Sequence, residues 1–324
     1  AEVVGTSVGN GNMSTMTVIA EPVAANATES RRVAAPTGIN SHDQDTAFHS
    51  SSIGTALDKI KQAESVSDIL LMMTDHPTNA RVQTSALKRL GNLTCDRKKI
   101  NTRQHNAAIN SGYEFQVDEQ RRMIGSTKGI AVILKALTNF PVDINVQTFG
   151  LLAIGNACRH NEENRSMFGD AGVIELILKA MCWFVEDIHL QRTGLFAIYT
   201  SSFKNTKNKA AIRHQGGIPM LLRTMQRYHD DFEVQRNGLT CLGNLASKDT
   251  KNRLQICEND GIGVVFSAMR QFHQNDSIQD RACLTIACLA KSPEIKTTLR
   301  NKGAITFVTK AATVIGDTKS SVVN

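Results

Sequence analysis

Few side chains in this sequence are spaced for bond-making chemistry. Gly261-x-Gly263 could begin a phosphate cradle, but it has no third glycine, and no P-loop, His-Glu-x-x-His or Gly-x-Ser-x-Gly string occurs. His229 and His273 hold equivalent turn positions without a neighbouring ligand set, so exposed turn histidines are expected rather than a metal site. Cysteines stand at 95, 158, 182, 241, 257, 283 and 288, and no Cys-x-x-Cys pair is among them. That usage suits small buried hydrophobes in a reducing compartment better than disulfides or zinc. No enzymatic activity, cofactor or metal is therefore expected. Asparagine and arginine remain, and they recur at fixed intervals. Their amide and guanidinium groups hold backbone and acidic groups; they do not break bonds.

The elements that carry them repeat. Val146-Gln147, Leu190-Gln191, Val234-Gln235 and Ile278-Gln279 each open the same string, 44 residues apart. Val82-Gln83 opens another copy, 64 residues before Val146, one period plus 20. Such a period marks a stacked-repeat architecture. One unit reads as three helices. Asn161 caps a short helix through Arg165, Met167 and Phe168, and Gly172 breaks it. Ile174, Ile177, Leu178, Met181 and Phe184 follow at helical spacing. A third helix runs from about Ile188 to Phe203. The breaks recur at Gly216-Gly217 and Gly261. Pro77 and Pro141 fall in turns between second and third helices, and Pro219 and Pro293 in first turns. The repeated glutamines, each at the start of a third helix, are expected to hydrogen-bond the backbone of the preceding turn.

The run Asn-x-x-Asn-[Lys/Arg], carried by Asn161/Asn164-Arg165 and Asn205/Asn208-Lys209, precedes a glycine break and the Val-Gln-x-x-Gly-Leu string. Together these resemble the armadillo repeat over about residues 52–316. The resemblance implies an all-α superhelix. It would comprise five three-helix repeats, a partial C-terminal repeat and a scaffold function without catalysis. The units read as about 52–95, 118–160, 161–204, 205–248 and 249–291. Residues 1–50 lack periodicity and read as a disordered arm, 51–316 as the repeat domain and 317–324 as a tail. Residues 96–117 form an insertion between the first two repeats, read as a solvated or partner-contacting loop with Tyr113 and Phe115 as anchors.

In armadillo proteins the third helices line a concave groove that receives extended partner segments. Matching positions here are Lys88, Leu152, Phe196, Thr240 and Leu284, with Asn92, Asn156, Thr200 and Asn244 one turn later. One turn earlier stand Arg192 and Arg236, beside Phe149, Asn237 and Arg281, with Arg159 and Lys291 extending the row. Acidic residues are nearly absent from these columns, Asp280 alone appearing, so a basic groove for an acidic or phosphorylated protein segment is expected. The net charge of +7 and pI near 9.1 also admit RNA, which helical repeats can read base by base, though few units offer a stacking ring. A nuclear import adaptor would pair the asparagines with tryptophans, but the sole tryptophan, Trp183, lies on a second helix. A small-GTPase regulator of armadillo type is a further alternative. No apolar run is long enough for a membrane span. A monomer in the cytoplasm, and also in the nucleus, is expected.

Overall fold

The fold was analysed in a computed structural model, which describes residues 42–95 and 107–323. Among these residues there are seventeen helices and no strand. The repeats belong to one compact unit that begins at Ala47. The first repeat comprises α1 (His42–Gln62), α2 (Val66–Asp75) and α3 (Ala80–Leu93). The second comprises α4 (Ala107–Gly125), α5 (Thr127–Asn139) and α6 (Ile144–Cys158). In the third stand α7 (Glu162–Asp170), α8 (Val173–Trp183) and α9 (Ile188–Ser202). The fourth holds α10 (Thr206–His214), α11 (Gly217–Arg227) and α12 (Phe232–Ala246). The fifth holds α13 (Thr250–Glu258), α14 (Gly261–Gln271) and α15 (Asp276–Leu289), and α16 (Pro293–Asn301) and α17 (Ala304–Val323) follow it.

Each third helix begins with one device. Asn79, Asp143, Asp187, Asp231 and Asn275 cap α3, α6, α9, α12 and α15, each accepting the backbone N–H three residues on. Four residues after each cap comes the buried glutamine. Gln83, Gln147, Gln191, Gln235 and Gln279 donate Nε2 to two carbonyls apiece, the first at 2.7–2.9 Å. The second bond, to the C-cap residue of the second helix, is 2.8–3.0 Å. The amide thus gives the first carbonyl a donor that the helix end does not supply, and shares the second with the backbone N–H of the following cap residue, at 3.0–3.2 Å. Beside it, Val82, Val146, Leu190, Val234 and Ile278 are fully buried. A small residue four positions on lets the third helix approach the second. A Cβ on Gly150 would strike the Leu137 side chain, and on Gly238 that of Met225.

A second device joins neighbouring repeats. Asn164 Nδ2 donates to Arg121 O at 2.8 Å in the preceding repeat and to Ala157 O at 2.7 Å. Asn208 does the same with Arg165 O and Ser201 O, both at 2.8 Å. The next residue is a buried cation, and Arg121, Arg165, Lys209 and Arg253 share this position, 44 residues apart. All four reach carbonyls at third-helix C-termini: Asn156 O and Thr94 O, Cys158 O, Ser247 O and Ala246 O, at 2.9–3.1 Å. Positive charge suits that negative end of a helix dipole.

Some boundaries differ from those expected. Residues 42–50 are helical, since α1 begins at His42 and not after Ser51-Ser52; the rest of the arm lies outside the described residues. Within the insertion, 107–117 belong to α4 and continue into the first helix of the second repeat. Nothing in 107–117 is a helix breaker except Gly112, so the pattern extends backwards from Asp118. Residues 96–106 lie outside the described residues. The tail is helical to Val323, because no proline or capping residue ends α17 after residue 316. In the fifth repeat the left-handed break is Asp260, φ 55°, with Gly261 already in the helix, whereas Gly172 and Gly216 take φ 82° and 73°.

Replacing Gln235 with methionine should leave the Met225 carbonyl buried without a donor, while Tyr228 O keeps the backbone N–H of Asp231 at 3.2 Å. A loss of about 1–3 kcal/mol is expected on guanidinium denaturation, with secondary structure at 25 °C unchanged by circular dichroism.

Candidate functional site

The third helices pack in series, α3 on α6, α6 on α9, α9 on α12 and α12 on α15. Their exposed faces line one groove of about 1370 Å³. Thirteen of the residues chosen from the repeat pattern line it: Asn92, Phe149, Leu152, Asn156, Arg159, Arg192, Phe196, Arg236, Asn237, Thr240, Asn244, Arg281 and Leu284. Three do not. Thr200 is buried and donates its hydroxyl to Phe196 O at 2.9 Å, within its own helix. Lys88 stands 5.5 Å from the Phe149 ring centre, outside the groove lining, and Lys291 is exposed elsewhere. In α4, Phe115 is 69% exposed with the Arg122 guanidinium 5.9 Å from its ring centre. The side chain of Tyr113 lies outside the described residues.

The asparagines serve the array first. Asn156 Nδ2 donates to Gly91 O at 3.0 Å and is buried. Asn244 donates to Tyr199 O at 3.2 Å and to Ser202 Oγ at 2.9 Å, and Asn237 to Arg192 O at 3.3 Å. Each ties its helix to the preceding repeat. Asn92, at the open end, is exposed.

The groove is also less basic than its columns implied. Asp187 and Glu233 line it, against four arginines, so the lining carries four minus two, or +2. Both acids lie in the cap and first turn of a third helix, outside the columns. Arg192 is paired with Asp231, the α12 cap, and Arg236 with Glu233 at 2.6 Å, its guanidinium also 5.5 Å from the Phe232 ring centre. Burial tends to raise the Asp231 carboxyl. The hydrogen bond from Arg192 and those from the backbone at Val234 and Glu233 outweigh it and hold the group below its ordinary range. The constant spacing of Asn or Asp four residues before each glutamine could have exposed this partner of Arg192 in the sequence. Tyr199 and Phe203 also line the groove: Tyr199 stands where the other repeats carry Gly or Ala, and Phe203 shares the variable column of Arg159 and Lys291.

Among the described residues no cluster of acidic, histidine or cysteine groups could hold a metal, and no helix is long and apolar enough to cross a membrane. No disulfide joins the cysteines among the described residues. Cys158 and Cys241 are buried as expected, but Cys182 is exposed. Burial pushes the Cys158 thiol up to about 12, against the opposing charge of Arg165, and raises Cys241 as well. Neither is a nucleophile at neutral pH.

Two outcomes follow. Iodoacetamide at pH 8 should label Cys182 first and leave Cys158 and Cys241 unmodified in the folded chain, as read by peptide mass spectrometry. Asp231→Asn should cost about 1 kcal/mol at pH 7, a figure reduced for the partial exposure of Arg192. A depressed carboxylate stabilises above its unfolded pKa of about 4 and loses that contribution as pH falls through the folded value. Wild-type and variant denaturation midpoints should therefore converge as pH falls below the unfolded value and through the depressed folded one.

The profile of the Armadillo/beta-catenin-like repeat matches residues 205–247, the fourth unit. No curated protein matches the chain. Solved structures do. A designed armadillo repeat protein is 15% identical, with a TM-score of 0.59 over 76% of this chain and 97% of its own. Another, in complex with the peptide (KR)4, is 17% identical, with a TM-score of 0.56 over 77% of this chain and 95% of its own. An engineered protein from a structural genomics consortium is 19% identical, with a TM-score of 0.55 over 79% and 96%. The recurrent three-helix unit and these structural likenesses agree on an armadillo-type fold, and residues 205–247 match the armadillo repeat itself.

Proposed function

We propose that this chain is a non-enzymatic scaffold that holds an extended, acidic segment of a partner protein along the third-helix groove. The observation that carries the reading is the groove itself. It is continuous across five repeats, and four arginines stand against two acids in its lining. Apolar footholds alternate with these charges. Leu284 is 56% exposed, while Phe149, Leu152 and Phe196 are half-buried. Such a surface offers pockets for apolar side chains between points of charge, which suits an unstructured segment laid lengthwise. The designed relative with (KR)4 carries a cationic peptide; the charge of the present groove favours the opposite sign. The asparagine amides that donate to the preceding repeat keep the groove walls fixed before any partner arrives. A cytoplasmic or nuclear setting fits this role.

RNA is the weaker reading. Phe196 and Tyr199 pack edge to face on each other, 5.4 Å between ring centres, so neither offers two free faces for stacking.

Fluorescence anisotropy with a labelled pool of decapeptides, randomised among Asp, Glu, Gly and Ser, tests the proposal against (KR)4. The acidic pool should bind, and its affinity should fall by about tenfold between 50 and 300 mM salt as surface charges are screened. Preference for (KR)4, or binding of neither, would sink it.

A further inference from the structure

One repeat breaks the groove's own rule. Gly91, Gly155, Gly243 and Ala287 occupy equivalent positions on four third helices, and the fifth, on α9, is Tyr199. A small residue is expected here, because the next helix packs closely. A Cβ on Gly155 would strike the Phe196 ring, and one on Gly243 would lie 3.0 Å from Thr285 Oγ1. Tyr199 instead sends a half-buried phenol into the middle of the groove.

Its surroundings are cationic and come from three other repeats. Arg159 caps the end of α6, Arg236 lies on α12 and Arg281 on α15, and all three line the same groove as Tyr199. Burial raises the Tyr199 pKa, while the charges of Arg159, Arg281 and Arg236 each act to lower it; Cys241 adds to the rise. The phenol therefore stays a neutral hydrogen-bond donor, and three guanidinium groups direct their field at it. Arg281 Nε is buried and, like Arg165 Nε, has no hydrogen-bond partner among the described residues. Unpartnered buried donors are rare in folded proteins and point to a missing acceptor. The ion pair of Arg236 with Glu233 is 37% and 40% exposed, so an incoming anion can compete with it at little cost.

We propose that Tyr199, Arg281, Arg236 and Arg159 form a subsite for a phosphate monoester on the bound protein segment, such as a phosphorylated serine or threonine. This deepens the groove reading and rests on it. A carboxylate presents two coplanar oxygens and one charge, which a single arginine fork matches in a bidentate pair. A phosphoryl group presents three oxygens in a tetrahedral array and a charge of about −1.5 to −2, so it can accept from donors arriving from several repeats at once. A single such locus suits one modified residue. A nucleic-acid backbone would need cations repeated along the groove, and the next candidate, Arg192, is already paired with Asp231.

The test measures three labelled decapeptide pools by anisotropy, randomised among Asp, Glu, Gly and Ser around a central phosphoserine, serine or glutamate. The full chain should bind the phosphoserine pool about tenfold tighter than the glutamate pool, in keeping with added charge-assisted bonds. Arg281→Gln and Tyr199→Phe should each bring that ratio close to one, with circular dichroism and melting showing both variants folded. Tyr199→Phe keeps the ring and removes only the hydroxyl, so it reports even if Arg281→Gln unfolds. A wild-type ratio of one, with both pools bound, would overturn the subsite and leave the groove reading standing. A ratio that survives both substitutions would overturn the residue assignment. Binding of none of the pools would remove both readings. Tighter binding of a labelled single-stranded oligonucleotide than of the phosphoserine pool, lost in Arg281→Gln, would reassign the site to nucleic acid.

Discussion

The array depends on one hydrogen-bonded pair of interactions, made five times. A buried glutamine near the start of each third helix donates to two carbonyls at the end of the second helix. Where the two helices meet at a sharp turn, the outer carbonyl also accepts the backbone N–H of the next cap residue, whereas the inner, buried one relies on the amide. A hydrophobic residue would leave that inner carbonyl unpaired. The amide supplies its donor and braces the angle at which the third helix leaves the turn. The Asn or Asp cap four residues earlier closes the other half of the junction by accepting the third helix's free N–H. With that angle set, the apolar residue before the glutamine and the small residue after it fall against the second helix in every repeat.

Between repeats the same economy of polar groups recurs. Asn164 and Asn208 each bridge a carbonyl of the preceding repeat and one of their own. The cation that follows neutralises third-helix C-termini from inside the core. Stability then belongs to neighbouring pairs of units, as in other stacked arrays. It also places charge where a recognition surface cannot use it. Arg121 and Arg253 are cations committed to structure, whereas Arg159, Arg236 and Arg281 stand in the groove.

The groove inherits its chemistry from departures from this scheme. Where a repeat obeys the pattern, its Asn and small residues are absorbed by packing. Where it departs, as at Tyr199, a larger side chain lines the groove instead. The repeated columns therefore supply the walls, and departures from them alter the lining.

The sequence by itself determined the repeat. The Val-Gln strings, the caps, the proline positions and the 44-residue spacing are local, and local hydrogen-bond needs are written in residue type and interval. The helical extension of α4 back to Ala107 and the helical end of α17 were not legible as repeat elements, because there the period stops and only weak propensity speaks. Tertiary structure alone decided which groove residues are free. Asn156 reads as a groove residue until the Gly91 carbonyl, 65 residues away, takes its amide. Arg192 reads as a free cation until Asp231, from the next repeat, pairs with it. These partners are distant in the chain and meet only when helices from successive repeats are stacked, so the free charge and the open face of the groove are properties of the stack.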